Sequence, residues 1–369
     1  QMGRGKARTI PVVDASLCRK TSSRAGQIAL SQLAMTDISP YTPNNAARAA
    51  RLSVAPMMEW TDRHCRYFHR LMSQQALLYT EMVTSPALVR GNATHLLKYS
   101  QAEQPVALQL GGSDPDELAE ATRLGAEAGY AEINLNVGCP SDRVQSGRFG
   151  ACLMAEPDLV AECCSAMASV TAGFDVPVSV KCRIGIDDMD SETGLDAFTQ
   201  AVADAGVTLL YVHARKAWLK GLSPKENRDI PPLDYDRVKR LVGAFPAIDI
   251  HINGGIVILD TARELAPDFA GMMLGRAAYK TPMILSQIAY ELFGTLPPSR
   301  ADIAASMADY ADVKTAADVP LHAITRHMLG LYNGQRGAKL WRRSLGEDAR
   351  LRSADGGQLI RETATACEA

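Results

Sequence analysis

The stretch "INLNVGCPSDRVQSGRFGACL", Ile133 to Leu153, decides how the chain is read. It opens as an apolar run, breaks at Gly138-Cys139-Pro140 and passes into a loop rich in Asp, Ser, Arg and Gly. A short apolar run bounded by Gly and Pro predicts a buried strand. Cys139 then stands at the mouth of that strand, with Asn136 just before it on the same segment. A thiol there can be core filler, a metal ligand, a nucleophile or a proton donor, and the surrounding chain has to separate these.

Working outward, seven further runs resemble the first. They are "LSVAPM" (52–57), "LLYTEM" (77–82), "PVALQLG" (105–111), "PVSVKCRIG" (177–185), "LLYVHAR" (209–215), "IDIHINGG" (248–255) and "GMMLGRAAY" (271–279), with the fourth strand at 131–138. Amphipathic stretches such as "DPDELAEATRLGAEAGY" and "LDAFTQAVADAGV" lie between them, the first with an acidic, Pro-containing helix start. Buried parallel strands read as continuous apolar runs. Eight β/α repeats across roughly 250 residues predict an α/β fold of the TIM (β/α)8 barrel class, followed by a C-terminal helical domain. A doubly wound sheet is the rival, and the absence of GxGxxG after the first strand counts against it.

Composition agrees with a globular protein. Of 369 residues 47% are hydrophobic and 22% charged, with a net charge of −2, so global charge points to no nucleic-acid partner. No apolar run approaches the roughly 20 residues of a membrane span. The eight cysteines (18, 65, 139, 152, 163, 164, 182 and 367) form no CxxC pair, which suits a reducing cytoplasm. The first fifty-one residues differ, with eight Lys/Arg against Asp14 and Asp37. Residues 1–50 read as a basic, disordered leader, or as a transit peptide for organellar import, and Met35 looks like a natural start. The barrel is expected over residues 51–298, and helices and tail over 299–369.

Chemistry in a TIM barrel belongs at the C-terminal ends of the strands. Those ends read Pro56-Met57-Met58, Glu81, Gln109, Asn136 with Cys139, Lys181 with Arg183, His213 with Arg215, Asn253-Gly254-Gly255 and Gly275-Arg276. The last two carry a phosphate signal, because Gly lets a backbone approach an anion closely. Lys181, His213 and Gln109 could line a planar ring, and a fixed cation beside a flavin's pyrimidine edge favours its reduced form, so the set suits FMN. For Cys139 no further Cys or His at short spacing suggests a metal. A nucleophile based on His213 would leave Lys181 and the glycines unexplained. Beside a flavin the thiol suits a general acid.

These strings resemble a known family. "LNVGCPSDRVQSGRFGACLM", "APMMEWTDRHCRYFHR", "YVHARKAWLKGLSPKENRDIPPLDYDRV" and "GMMLGRAAY" are similar to the tRNA-dihydrouridine synthases of the A-type subfamily, over about residues 51–345. The resemblance implies NADPH-dependent, FMN-mediated reduction of the C5–C6 double bond of uridine in the tRNA D-loop, at positions 20 and 20a. It implies that Pro56, Met57, Met58, Gln109, Lys181, His213, Asn253, Gly254, Gly255, Gly275 and Arg276 hold FMN. It also makes Cys139 the proton donor and Asn136 a contact to the uracil.

The same resemblance gives the tail a purpose. Between residues 320 and 352 lie seven Lys/Arg (326, 336, 339, 342, 343, 350, 352) against Glu347 and Asp348, so 7 − 2 gives +5. A basic run is ordinarily a solvated helix face. Since the family grips tRNA with a C-terminal helical domain, Arg342 and Arg343 are expected to meet phosphates. Arg183, and Lys225 and Arg228 in the loop after strand six, are expected near the RNA. Trp218 in that loop either stacks on a base or packs. The reading expects a monomer and no metal. Its alternatives are an FMN-dependent reductase of a free pyrimidine or other small molecule, and an RNA-binding protein with a dead barrel.

Overall fold

Eight strands, all parallel, close on themselves in sequence order in the computed structural model, which describes residues 51–369. The leader or transit peptide expected over residues 1–50 lies outside the described residues. The strands are β1 Leu52–Val54, β2 Leu77–Thr84, β3 Val106–Gly111, β4 Glu132–Val137, β5 Val178–Arg183, β6 Leu209–His213, β7 Asp249–Asn253 and β8 Gly271–Leu274. Pairing of Leu52 with Met272 and Val54 with Leu274 closes the ring.

Side chains alternate across the wall, as the period of two requires. One face of each strand enters the large core under the helices: Leu108 and Leu110, Ile133 and Leu135, Leu210 and Val212, Ile250 and Ile252. The other face fills the barrel, where a smaller apolar cluster holds Tyr79, Ala107, Tyr211 and Met273. Several interior positions are polar instead. Glu132, Asn134 and Asn136 share that face of β4 and are all buried. The expectation of continuous apolar strands is therefore corrected for β4, which alternates.

The helices start where their caps dictate. Asp62 Oδ1 accepts from the backbone N–H of His64 and Cys65 at 2.9 and 3.0 Å, opening the helix Arg63–Met72. Asp114 opens Pro115–Glu127 by accepting from Glu117 N–H at 3.0 Å. In that helix Gly125 lies against the sheet; a Cβ there would meet Leu108 Cδ2 at 2.7 Å and Ile133 Cδ1 at 2.8 Å. Glycine lets the helix and the sheet approach this closely with Leu108 and Ile133 in place.

Two boundaries differ from expectation. The run 271–279 is a strand only to Leu274, and Gly275 then precedes a short helix, Arg276–Lys280. β2 runs past Glu81 to Thr84, with a bulge between Tyr79 and Met82, so Glu81 is not its last residue. Beyond the barrel, the helices Arg300–Thr315, Leu321–Thr325, Ala338–Arg343 and Gln358–Glu368 follow, and residues 326–337 form turns where a helix was expected. The first two of these pack against the barrel helix Arg63–Met72, and Gln358–Glu368 packs against Arg300–Thr315. Tyr310 stacks on Tyr67 with ring centroids 4.1 Å apart, and its hydroxyl lies 2.8 Å from His64 Nδ1. Asp62 binds Arg326 at 2.5 Å and His327 at 3.0 Å. No helix of the described residues is long and apolar enough to cross a membrane.

Candidate active site

All eleven residues named above for the flavin line one cavity of about 790 Å³ at the C-terminal ends of the strands, together with Asn136, Cys139, Arg183 and Arg228. That volume is in the range of small-molecule and cofactor sites. Lys225, Arg342 and Arg343 do not line it.

The rim after β1 is a locked turn. Met57 N–H donates to Thr61 Oγ1 at 2.9 Å, and that hydroxyl returns a bond to Met57 O at 3.2 Å. Glu81 accepts from the backbone N–H of Glu59, so its place in the β2 bulge serves to hold this turn.

Cys139 stands on a turn fixed from three sides. Asn136 Oδ1 accepts from the N–H of both Gly138 and Cys139, each at 3.0 Å. Ala151 N–H donates to Cys139 O at 2.9 Å. Gly150, at φ +78°, lets that segment come close, since a Cβ would lie 2.6 Å from Cys139 O. Arg183 supplies the third hold: its Nε donates to Gly138 O at 2.9 Å, and its Nη1 to Lys216 O at 2.9 Å and Asn227 O at 3.0 Å. Arg183 was expected on the RNA side; it is buried, and its guanidinium ties the loop after β4 to the loop after β6. Cys139 Sγ lies 3.6 Å from Ser141 Oγ and lines the cavity.

Lys181 pairs in register with Asn136 across β4–β5, and Arg183 with His213 across β5–β6. Burial, with Arg183 nearby, lowers the Lys181 ammonium to about 8. Burial, then Arg183 and Lys181, pushes His213 well below the usual imidazole range, so His213 is neutral at pH 7. The positive φ of Gly254 (+106°) and Gly255 (+71°) and the walls around them leave no room for side chains: a Cβ on Gly254 would lie 2.4 Å from the His213 ring. Asn253 is held by donating to Met273 O at 2.7 Å. At Gly275 the opposite holds, because a Cβ there would meet nothing within 4 Å. Arg276 is engaged by Asp229, with Nη2–Oδ1 at 2.6 Å and Nη1–Oδ2 at 3.2 Å, a partner that sequence spacing gave no reason to expect.

Lys181 yields the first prediction. An amine whose pKa is lowered by the fold costs stability while it is charged, fully below about pH 8, and the cost fades as pH rises toward its unfolded value near 10.5. Cofactor-free Lys181→Met should therefore be more stable than the cofactor-free parent at pH 7, by on the order of 2–3 kcal/mol. The gap should shrink to under about 1 kcal/mol by pH 10. Thermal melts of the two cofactor-free proteins at both pH values measure this, and a gap independent of pH would contradict it.

On the tail, Arg326 is paired with Asp62, and Arg352 with Asp355 at 2.5 Å and Glu362 at 3.1 Å. Arg336, Lys339, Arg342, Arg343 and Arg350 are exposed. Trp341 beside them is fully buried, its Nε1 donating to Met328 O at 2.7 Å, and so anchors the helix that carries Arg342 and Arg343. Trp218 is partly exposed, with its backbone N–H held by Asn227 Oδ1 at 2.8 Å. Sequence reasoning passed over Asp229, Ser141 and the interior residues Glu132, Asn134 and Ser179. The alternation of polar residues along β4 was the signal available for two of these.

Residues 53–366 match the model of the dihydrouridine synthase family. The chain is 54% identical over 304 residues to tRNA-dihydrouridine(20/20a) synthase of Vibrio vulnificus, covering 82% of this chain and 92% of that one. It is 54% identical over 302 residues to the protein of that name from Yersinia pestis, covering 81% and 86%. Among solved structures, morphinone reductase is matched with a TM-score of 0.46 at 12% identity, over 67% of this chain and 87% of that one.

Proposed function

The chain belongs to the dihydrouridine synthase family, and from that premise we propose how its cavity works. The enzyme reduces uridine in tRNA to 5,6-dihydrouridine in a flavin-dependent reaction. The observation that carries the site assignment is the meeting of Cys139, Lys181 and the Gly254-Gly255 and Gly275 backbone in one cavity.

The residues present fit FMN. Open space at Gly275 and the main chain of Asn253–Gly255 make a cradle for the phosphate, and Pro56, Met57, Met58, Gln109, Lys181 and His213 line the room for the ring. Arg276, its guanidinium held in place by Asp229, would add a charged contact to the phosphate. When bound and reduced by NADPH, the flavin supplies the hydride. The chain's own residues do the remainder. Neutral His213 donates or accepts without adding charge, and Lys181 places a cation against the electron-rich side of the site. Asn136 holds the uracil edge, and Cys139 gives a proton to C5.

The target must leave its stack in folded tRNA to reach the strand mouths. Arg342 and Arg343, with their exposed neighbours, grip the phosphates, and the rim residues Lys225 and Arg228 guide the strand. Residues 299–369 thus act as the RNA-binding part of a barrel built from 51–298. Truncation is a poor test of this, since removing these helices would uncover Tyr67 and strand Asp62. Charge reversal is better. The purified protein should be yellow, bleach with NADPH, and recover its colour with unmodified tRNA but not with free uridine. The double variant Arg342→Glu/Arg343→Glu should bleach at the same rate and bind tRNA about tenfold or more weakly, with a shallower salt dependence. Recovery with free uridine would favour the small-molecule reductase, and unchanged tRNA affinity at every salt concentration would move the RNA surface elsewhere.

A further inference from the structure

The barrel interior holds more polar side chains than the cavity uses, and they form one chain. Glu132 at the base of β4 accepts hydrogen bonds from the hydroxyls of Tyr79, Ser179 and, at 3.1 Å, Tyr211. Asn134 Nδ2 donates to Ser179 Oγ at 2.7 Å, and Gln109 Nε2 donates to Asn134 Oδ1 at 2.8 Å. Asn136 Nδ2 donates to Gln109 Oε1 at 2.7 Å, and Asn136 Oδ1 receives the N–H of Gly138 and Cys139. Every member from Glu132 to Asn136 is buried.

All these bonds run in one direction. Glu132 Oε1 accepts from the hydroxyls of both Tyr79 and Ser179, and a serine has one hydrogen to give. With that hydrogen on Glu132, Ser179 offers Asn134 only lone pairs. Asn134 must then present Nδ2 downward and Oδ1 toward Gln109, and the same necessity passes to Gln109 and Asn136. Turning any one amide over would set two NH2 groups or two carbonyls face to face in a dry interior, where unpaired polar groups are costly. The direction imposed from the base is also the one the Cys139 turn needs at the top.

We propose that Glu132, Ser179 and Asn134 are positioning residues, a hydrogen-bonded relay that fixes the polarity of Asn136 in the cavity and the placement of the Cys139 turn. The proposal rests on the functional reading above, in which Asn136 meets the uracil. An amide nitrogen has two hydrogens, and the relay uses one of those on Asn136. The other is left as a donor for the base, which, set against C4, suits the carbonyl of uracil and opposes the amine of cytosine. The relay thus favours uracil over cytosine without touching either.

Ser179→Ala and Asn134→Ala each break the relay without altering a residue that lines the cavity, whereas Glu132→Gln keeps a carbonyl to accept from Ser179. In the flavin-loaded protein, Ser179→Ala and Asn134→Ala should keep full flavin content and the parent rate of bleaching by NADPH. Their kcat for dihydrouridine formation in tRNA should fall about tenfold with KM unchanged, the scale of a displacement well under an ångström. Backbone hydrogen exchange over residues 138–141 should quicken in both. Glu132→Gln should stay near the parent in kcat and in exchange. Parent kcat and parent exchange in Ser179→Ala and Asn134→Ala would overturn the relay, as would a loss confined to flavin content or one equally large in Glu132→Gln. The exchange measurement needs no turnover. If the parent protein failed to reduce tRNA the functional reading would fall, and exchange would still decide whether the relay holds the turn.

Discussion

Cys139→Ala should retain its flavin and its oxidation of NADPH, yet lose reduction of uridine in tRNA by about two orders of magnitude or more, the usual scale of general acid catalysis. Once hydride has arrived at C6 of the uracil, C5 carries carbanion character delocalised into the C4 carbonyl, and a proton must be delivered there. The structure makes Cys139 the candidate through constraint as much as position. Its backbone N–H is pinned to Asn136, its carbonyl to Ala151, and the preceding carbonyl to Arg183. A group aimed this closely does not have to be searched for in the transition state. Cys139→Ser should keep a little activity, since a hydroxyl is a weaker acid of similar reach. The measurement is single-turnover formation of dihydrouridine beside the rate of bleaching by NADPH. Parent rates in both for Cys139→Ala would reduce the thiol to packing.

The barrel was legible because each strand announces itself locally, as a short apolar run ended by Gly, Pro or a charged residue. The strand mouths were legible for the same reason: in this fold the inward-facing residues near the C-terminal end of each run meet the cavity. Pro56, Gln109, Lys181 and Asn253 could therefore be picked out one strand at a time. What could not be read was anything set by two distant segments. Asp229 finds Arg276 across 47 residues, and Arg183 ties together carbonyls from two loops, 45 and 33 residues away. An arginine at a strand mouth looks the same in sequence whether it faces RNA or its own backbone.

The tail shows the same limit in charge. Seven basic residues read as one patch, but Arg326 is drawn back to the barrel by Asp62, 264 residues earlier, and Arg352 is spent on Asp355 and Glu362. Counting charges along the chain finds the sign of a surface and overstates its strength. The polar face of β4 was visible in principle, for Glu132, Asn134 and Asn136 alternate. It was obscured because Ile133, Leu135 and Val137, interleaved with them, complete an apolar reading of the whole segment.

Gly275→Leu should give a folded protein without colour, and the structure selects this position over the neighbouring glycines. Gly255 has φ +71°, and a Cβ there would press on Leu233 Cδ1 and Tyr235 Oη, so a side chain would damage the loop before testing any ligand. Gly254 would strike the His213 ring. At Gly275 a Cβ meets nothing within 4 Å and the residue lines the cavity, so a leucine grows into space the cofactor would otherwise occupy. No native contact is removed, and the melting curve separates loss of the cofactor from loss of the fold. A phosphate cannot share that volume, and the backbone around it can no longer close on an anion. Affinity for FMN should drop by at least about a hundredfold, the loss of roughly 3 kcal/mol of binding. Visible absorbance after purification, an FMN titration followed by fluorescence, and a melting curve compared with the cofactor-free parent together measure this. A Gly275→Leu protein that melts like the parent and carries one flavin per chain would place the phosphate away from β8, and would return Arg276 to the role its bond to Asp229 already gives it, a brace between two loops.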